Sequence, residues 1–188
     1  MTERETPEIP CSIVLVGLMG AGKTCIGREL AGRYRLPFAD ADDEIEAAAG
    51  CSIEDIFALY GEREFRSGER RVIARLLDRP RQVLATGGGA FMDPDTRAEI
   101  RAKAISVWLR ADLDLLLRRV ARRSDRPLLK AEDPRKVLTR LIEERYPVYA
   151  EADLVVDTTD EKPRATAARV ARALEEFLAE ERTAQPAI

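Results

Sequence analysis

Gly17-Leu18-Met19-Gly20-Ala21-Gly22-Lys23-Thr24 follows directly on the apolar run Ile13-Val14-Leu15-Val16. Together they spell a buried strand running into the phosphate-binding pattern G-x-x-x-x-G-K-[ST]. Glycines let successive backbone N–H groups turn inward around an anion, Lys23 brings a point charge to the β- and γ-phosphate oxygens, and the Thr24 hydroxyl is a ligand for Mg²⁺. Behind the loop, Ile26, Leu30, Ala31 and Tyr34 have helical spacing, so a helix N-terminus points its dipole at the same anion. The stretch predicts a nucleoside triphosphate site on an α/β scaffold.

The rest of the chain repeats the alternation. Pro37-Phe38-Ala39-Asp40 reads as a short strand ending in acid, and Asp42 to Ala48 as helix. Ser52-x-x-Asp55 has the form of a capping box, Gly61 breaks the helix that it starts, and Glu62 to Leu77 begins another. Val83 to Thr86 is a strand running into Gly87-Gly88-Gly89, and Asp93-Pro94 reads as an N-cap with proline at the first helical position. Ile105 to Leu109 is a strand and Asp112 to Arg123 a helix. Ser124 to Lys130 is a loop, Asp133-Pro134 opens a further helix, Leu154-Val155-Val156 is the last strand, and Pro163 to Glu180 is the closing helix. Uniformly apolar strands separated by helices predict a parallel sheet covered on both faces, with ligands at the carboxyl ends of its strands.

Composition narrows the chemistry. With 188 residues the chain is long enough for one domain with a sizeable core. A net charge of −3 and a pI near 5.3 disfavour a general nucleic-acid binder. No apolar run is long enough to span a bilayer and MTERETPEIP is too polar for a secretory signal, so a cytoplasmic protein without a membrane partner is expected. Cys11, Cys25 and Cys51 form no C-x-x-C pair and read as packing residues. The chain has no His, which removes the usual general base and His-ligated metals, and acid–base work falls to Asp, Glu or Lys. It also has no Asn, hence no N-K-x-D guanine signature.

Several groupings admit two readings. In an extended segment Asp40 and Asp42 share a face, so one could hold Mg²⁺ through water while the other meets a substrate hydroxyl; the alternative is an acidic cluster stabilising the next helix. Gly87-Gly88-Gly89 allows close approach to a ligand or forms a tight turn. Arg118, Arg119, Arg122, Arg123 and Arg126 form a basic stripe: a solvated face, a nucleic-acid contact, or the approach to a lid over phosphates. Arg66 and Arg145, residue types suited to clamping a carboxylate, read in isolation as surface positions.

Taken together, GLMGAGKT at 17–24, FADADDEIE at 38–46, EFR at 64–66, TGGG at 86–89, RPLL at 126–129 and ERYPVY at 144–149 resemble the shikimate kinase family over Ile13 to Leu178. The resemblance implies a P-loop, nucleoside-monophosphate-kinase-like fold: a five-stranded parallel sheet with helices on both faces and a lid. It implies ATP-dependent phosphorylation of the shikimate 3-hydroxyl, on the route to chorismate and aromatic amino acids, with Mg²⁺ as cofactor and a monomer as the unit. The expected layout is a tail at 1–10, one domain at 11–180 with a substrate-binding helical segment at about 41–71 and a lid at about 121–133, and a tail at 181–188.

By the same resemblance Lys23, Asp42 and Arg126 are catalytic. Gly20, Ala21, Gly22, Lys23, Thr24, Cys25, Arg119, Arg126 and Pro163 bind ATP, the last lying in a nucleotide loop Asp157 to Pro163. Asp42, Arg66, Gly87, Gly88, Gly89 and Arg145 bind shikimate, and Thr24 with Asp40, through water, holds the metal. Thr24-Cys25 stands where many members carry Ser-Thr, and Glu161-Lys162 where an Arg often neighbours adenine. The alternatives are a kinase of the same architecture for gluconate or a nucleoside monophosphate, and a non-catalytic nucleotide- or RNA-binding module.

Overall fold

In a computed structural model of the chain, residues 8–122 and 133–184 are described. The elements run β1 (Ser12–Val16), α1 (Lys23–Tyr34), β2 (Phe38–Asp40), α2 (Ala41–Ala49), α3 (Ile53–Leu77), β3 (Val83–Ala85), a 3-10 turn (Ala90–Met92), α4 (Pro94–Lys103), β4 (Ala104–Arg110), α5 (Leu113–Ala121), α6 (Pro134–Tyr149), β5 (Leu154–Asp157) and α7 (Pro163–Ala184). The five strands are parallel in the order β2-β3-β1-β4-β5, as the apolar strands predict.

Alternation along the strands divides the core. Ile13 and Leu15 of β1 join Ile105, Val107 and Leu109 of β4 beneath Ile26 and Leu30 of α1 and Val170 and Leu174 of α7. Val14 and Val16 point the other way, with Leu84 and Trp108, against Ile73 and Leu76 of α3, Ile100 of α4, Leu116 of α5 and Leu138 of α6. Every residue of β1 is buried. Where β4 would bury a bare hydroxyl, Ser106 is paired: its N–H and Oγ donate to Asp153 Oδ2 at 2.8 and 2.6 Å, and Oγ accepts from Asp153 N at 2.9 Å.

Local signals explain the helix ends. Ser52 and Asp55 form the reciprocal capping box, Asp93 caps α4 ahead of Pro94, and Asp112 and Asp133 cap α5 and α6. Gly61 has non-helical φ 79° and ψ 173°, so the expected break is present and α3 is two helices joined end to end at a kink there. Two expectations are corrected. Asp40-Ala41-Asp42 is not extended: Asp40 ends β2 and caps α2, while Asp42 already lies in the first helical turn. The tail expected from 181 onward is helical as far as Ala184, because Glu180, Glu181 and Arg182 are good helix formers and nothing interrupts them before Pro186.

Registers Leu15↔Ala85, Asp40↔Ala85 and Val16↔Trp108 bring the strand ends to one edge, where the chain must turn in loops. Helix α1 lies close to the sheet there. A Cβ on Gly27 would stand 2.5 Å from Phe38 Cε2 and 3.1 Å from Leu15 Cδ1. We therefore expect Gly27→Ala to lower stability by about 1–3 kcal/mol through overpacking, read as a lower urea midpoint at unchanged m. An unchanged midpoint would mean that half-buried Phe38 moves aside without cost.

Candidate active site

The loop after β1 is shaped by glycines in the left-handed region: Gly20 at φ 84°, and Gly22, the N-cap of α1, at φ 97°. Lys23, the first residue of α1, donates from Nζ to the carbonyls of Gly17 (2.7 Å) and Leu18 (3.0 Å), which holds the ammonium across the loop. Thr24 Oγ1 donates to Asp40 Oδ2 at 2.7 Å, and Asp40 Oδ1 accepts from Asp42 N at 3.2 Å. One carboxylate thus joins the start of α1 to the start of α2. Cys25 is exposed in the first turn of α1.

Asp42 faces elsewhere, toward the turn after β3. A Cβ on Gly87 would come within 2.9 Å of Asp42 Oδ1 and 2.8 Å of Glu69 Oε1; one on Gly89 would lie 2.4–2.6 Å from the Arg66 guanidinium. One on Gly88 would lie 3.3 Å from Arg145 Nη1 and 3.7 Å from Met19 N of the phosphate loop. The glycine turn is therefore a hub without side chains, touching α2, α3, α6 and the phosphate loop at once. It brings together Asp42, Arg66 and Arg145, which the sequence separates by up to 103 positions, 145 less 42.

Two residues that the sequence reading left out complete the hub. Glu69, only 3% exposed, accepts from Arg66 Nη1 at 2.7 Å, one helical turn along α3. Its Oε1 has no hydrogen-bond partner among the described residues. Burial raises the Glu69 pKa above the ordinary carboxyl value; Arg66 opposes that shift, nearby Asp42 adds to it, and Arg145 lowers it. Tyr149 is fully buried, its hydroxyl donates to the Gly88 carbonyl, and burial pushes its pKa up to about 12. The same carbonyl accepts from Arg145 Nη1 at 2.8 Å. Spacing alone offered a faint signal for Glu69, three residues after Arg66, in a segment crowded with acids and bases.

The basic stripe does not act as one face. Arg119 turns into the phosphate loop, donating from Nη1 to Gly20 O (3.1 Å) and Ala21 O (3.2 Å) and from Nη2 to Thr159 O (2.6 Å). Arg118 points toward Asp160, at 3.8 Å, because consecutive helical residues diverge by about 100°. Arg122 is exposed. Arg123 and Arg126, with most of the expected lid, lie outside the described residues. Pro163 is exposed at the first position of α7, one turn of chain beyond Thr159.

A model of the family described as shikimate kinase matches residues 19–175. The chain belongs to the shikimate kinase family. Shikimate kinase of Paramagnetospirillum magneticum is 62% identical over 172 residues, 92% of this chain and 88% of that one. Shikimate kinase of Caulobacter vibrioides is 64% identical over 149 residues, 79% and 74% of the two chains. Among solved structures, shikimate kinase from Acinetobacter baumannii in complex with shikimate superposes with a TM-score of 0.86 at 38% identity, covering 92% of this chain and 96% of that one. The fold is therefore the P-loop, nucleoside-monophosphate-kinase-like one that the resemblance implies. Among the described residues no helix is long and apolar enough to cross a membrane.

Glu69 gives the hub a pH signature. A carboxyl whose folded pKa lies above its unfolded value, about 4.3, gives up stability as pH rises through that value and on to the folded one. Glu69→Gln removes this slope. We expect the melting temperature of the variant, relative to the parent, to improve as pH rises above the ordinary carboxyl range and then to level off; a pH-independent or falling difference would refute the raised pKa.

Proposed function

We infer that the protein transfers the γ-phosphoryl group of ATP to the 3-hydroxyl of shikimate. The observation that carries this reading is the glycine turn, which gathers two guanidinium groups and Asp42 against the phosphate loop. A planar carboxylate with hydroxyls beside it matches that set: Arg66 and Arg145 suit the carboxylate bidentately, and Asp42 suits a hydroxyl. The shikimate complex of the Acinetobacter relative supports the choice of acceptor.

Phosphoryl transfer asks for positioning and charge neutralisation more than for covalent chemistry. Lys23 lies in the loop where the β- and γ-phosphates sit, so its ammonium offsets the charge that develops there. Asp42 aligns the acceptor hydroxyl and takes its proton. The Glu69 ion pair and the Phe65 ring, 5.0 Å from the Arg66 carbon, hold that guanidinium ready. The Gly88 carbonyl does the same for Arg145. Arg126, as implied by the family resemblance, adds a cation to the transferring group.

Thr24 and Asp40 fit Mg²⁺: two hard oxygen donors 2.7 Å apart beside the phosphate loop suit an ion that keeps several waters. Thr24 would bind it directly and Asp40 through water, and when bound the ion neutralises charge on the β- and γ-phosphates. Arg119, Pro163 and the backbone of Gly20, Ala21, Gly22 and Cys25 are assigned to ATP.

Shikimate-dependent ADP release tests the whole reading. Shikimate should be turned over, and its methyl ester should be poorer by about 10- to 150-fold in kcat/KM, the equivalent of a charged contact of about 1.5–3 kcal/mol. Equal efficiency with the ester, or a faster rate with gluconate, would remove the carboxylate clamp. Within the same assay Asp42→Asn should lower kcat by about 10² or more with little change in ATP affinity. Parental turnover in that variant would leave Asp42 as an acid at the start of α2 and nothing more.

A further inference from the structure

The acceptor groups all lie on the β2–β3 side of the phosphate loop. On the other side of that loop stand the ends of β4 and β5. Arg119 joins the carbonyls of Gly20 and Ala21 to that of Thr159 in the connection between β5 and α7.

This connection is short, and each of its residues is tied down. Asp157 is held by a two-point ion pair from Arg110, at 2.6 and 2.9 Å, and its carbonyl accepts from Arg169 Nη2 at 2.8 Å. Buried Thr158 donates from N and Oγ1 to Arg110 O at 2.7 and 3.1 Å. Thr159 is held by Arg119, Asp160 faces Arg118, and Lys162 O accepts from Ala165 N at 2.9 Å. Glu161 ties the tip back to α7: its Oε1 accepts from buried Thr166 Oγ1 at 3.1 Å and pairs with Arg169 Nη1. The carboxylate also lies two residues before the first residue of α7, where the helix dipole favours negative charge. The Thr166 and Arg169 contacts both turn Oε1 toward α7.

We propose that Glu161 is a positioning residue for ATP: by tethering the 158–162 loop to Thr166 and Arg169 it holds Thr159 and Arg119 as a preformed seat for the nucleoside. The proposal rests on the ATP-kinase reading above. A seat ordered in advance saves the cost of ordering the loop on binding, so its loss weakens the nucleotide more than the acceptor.

The full chain, Glu161→Ala and Glu161→Gln are compared by calorimetric titration with ADP and by steady-state kinetics against ATP and shikimate. Glu161→Ala should raise the ADP Kd and the KM for ATP about tenfold, with KM for shikimate within twofold and kcat within threefold of the parent. Glu161→Gln keeps an oxygen for Thr166 but not the charge for Arg169, and should sit between, at about threefold. If the alanine variant fails to fold, the glutamine variant decides alone. Unchanged ADP affinity, or equal increases in both KM values, would overturn the proposal and leave Glu161 with a purely structural role. ADP titration needs no acceptor, so a parent that binds ADP but ignores shikimate would refute the substrate and leave the tether standing.

Discussion

Strands β1, β3 and β4 are buried on both faces, so charge and unpaired backbone groups can gather only where those strands stop. Register makes them stop together. That single constraint sets the loop after β1 beside the turn after β3; glycine serves the first by adopting positive φ at Gly20 and Gly22, and the second by leaving room for Asp42, Glu69, Arg145 and Arg66. Gly88 sits within Cβ reach of both Arg145 and the phosphate loop, so the glycine turn and the phosphate loop share one wall.

The hub gathers four charged side chains, of which Glu69 alone is fully buried. Two guanidinium groups and two carboxylates surround three glycines, and one of the carboxylates, Glu69, keeps an oxygen without a partner among the described residues. In a core such a group would cost stability with nothing returned. Here it serves to aim Arg66, with Asp42 beside it at the same glycine turn. Tyr149 does comparable work beneath Gly88: a buried hydroxyl fixes the carbonyl that Arg145 also uses.

The nucleotide side is built differently. There the positions are fixed by backbone carbonyls and by surface ion pairs reaching in from α5 and α7, and Arg119 ties together two loops that are 139 residues apart, 159 less 20. Surface pairs taken singly contribute little, but a run of them on one short connection restricts every residue in it. The proposed acceptor side is thus gathered around the glycine turn, and the proposed nucleoside seat is set by a laced loop.

Much of this was legible in the chain itself. The phosphate loop was fixed by local chemistry, since glycine spacing, Lys23 and Thr24 admit few other uses, and the alternation of apolar strands with capped helices was enough for a parallel α/β sheet. Caps at Ser52, Asp93 and Asp133 and the break at Gly61 were readable because they depend only on residues a few positions away. Three things were not. Whether Asp40 and Asp42 share a face depended on where α2 begins, and the helix begins between them. Arg66 and Arg145 looked like surface residues because a guanidinium in a helix has no local mark of its destination. Glu69 had only its i,i+3 spacing from Arg66 to mark it, and Tyr149 and the inward turn of Arg119 had no local signature at all. Sequence by itself determined the elements and the loop that holds phosphate, because those follow from interactions within a turn or two of backbone. Only the tertiary structure decided which charges meet, because partners distant in the chain are brought together by the sheet order and the level at which its strands end.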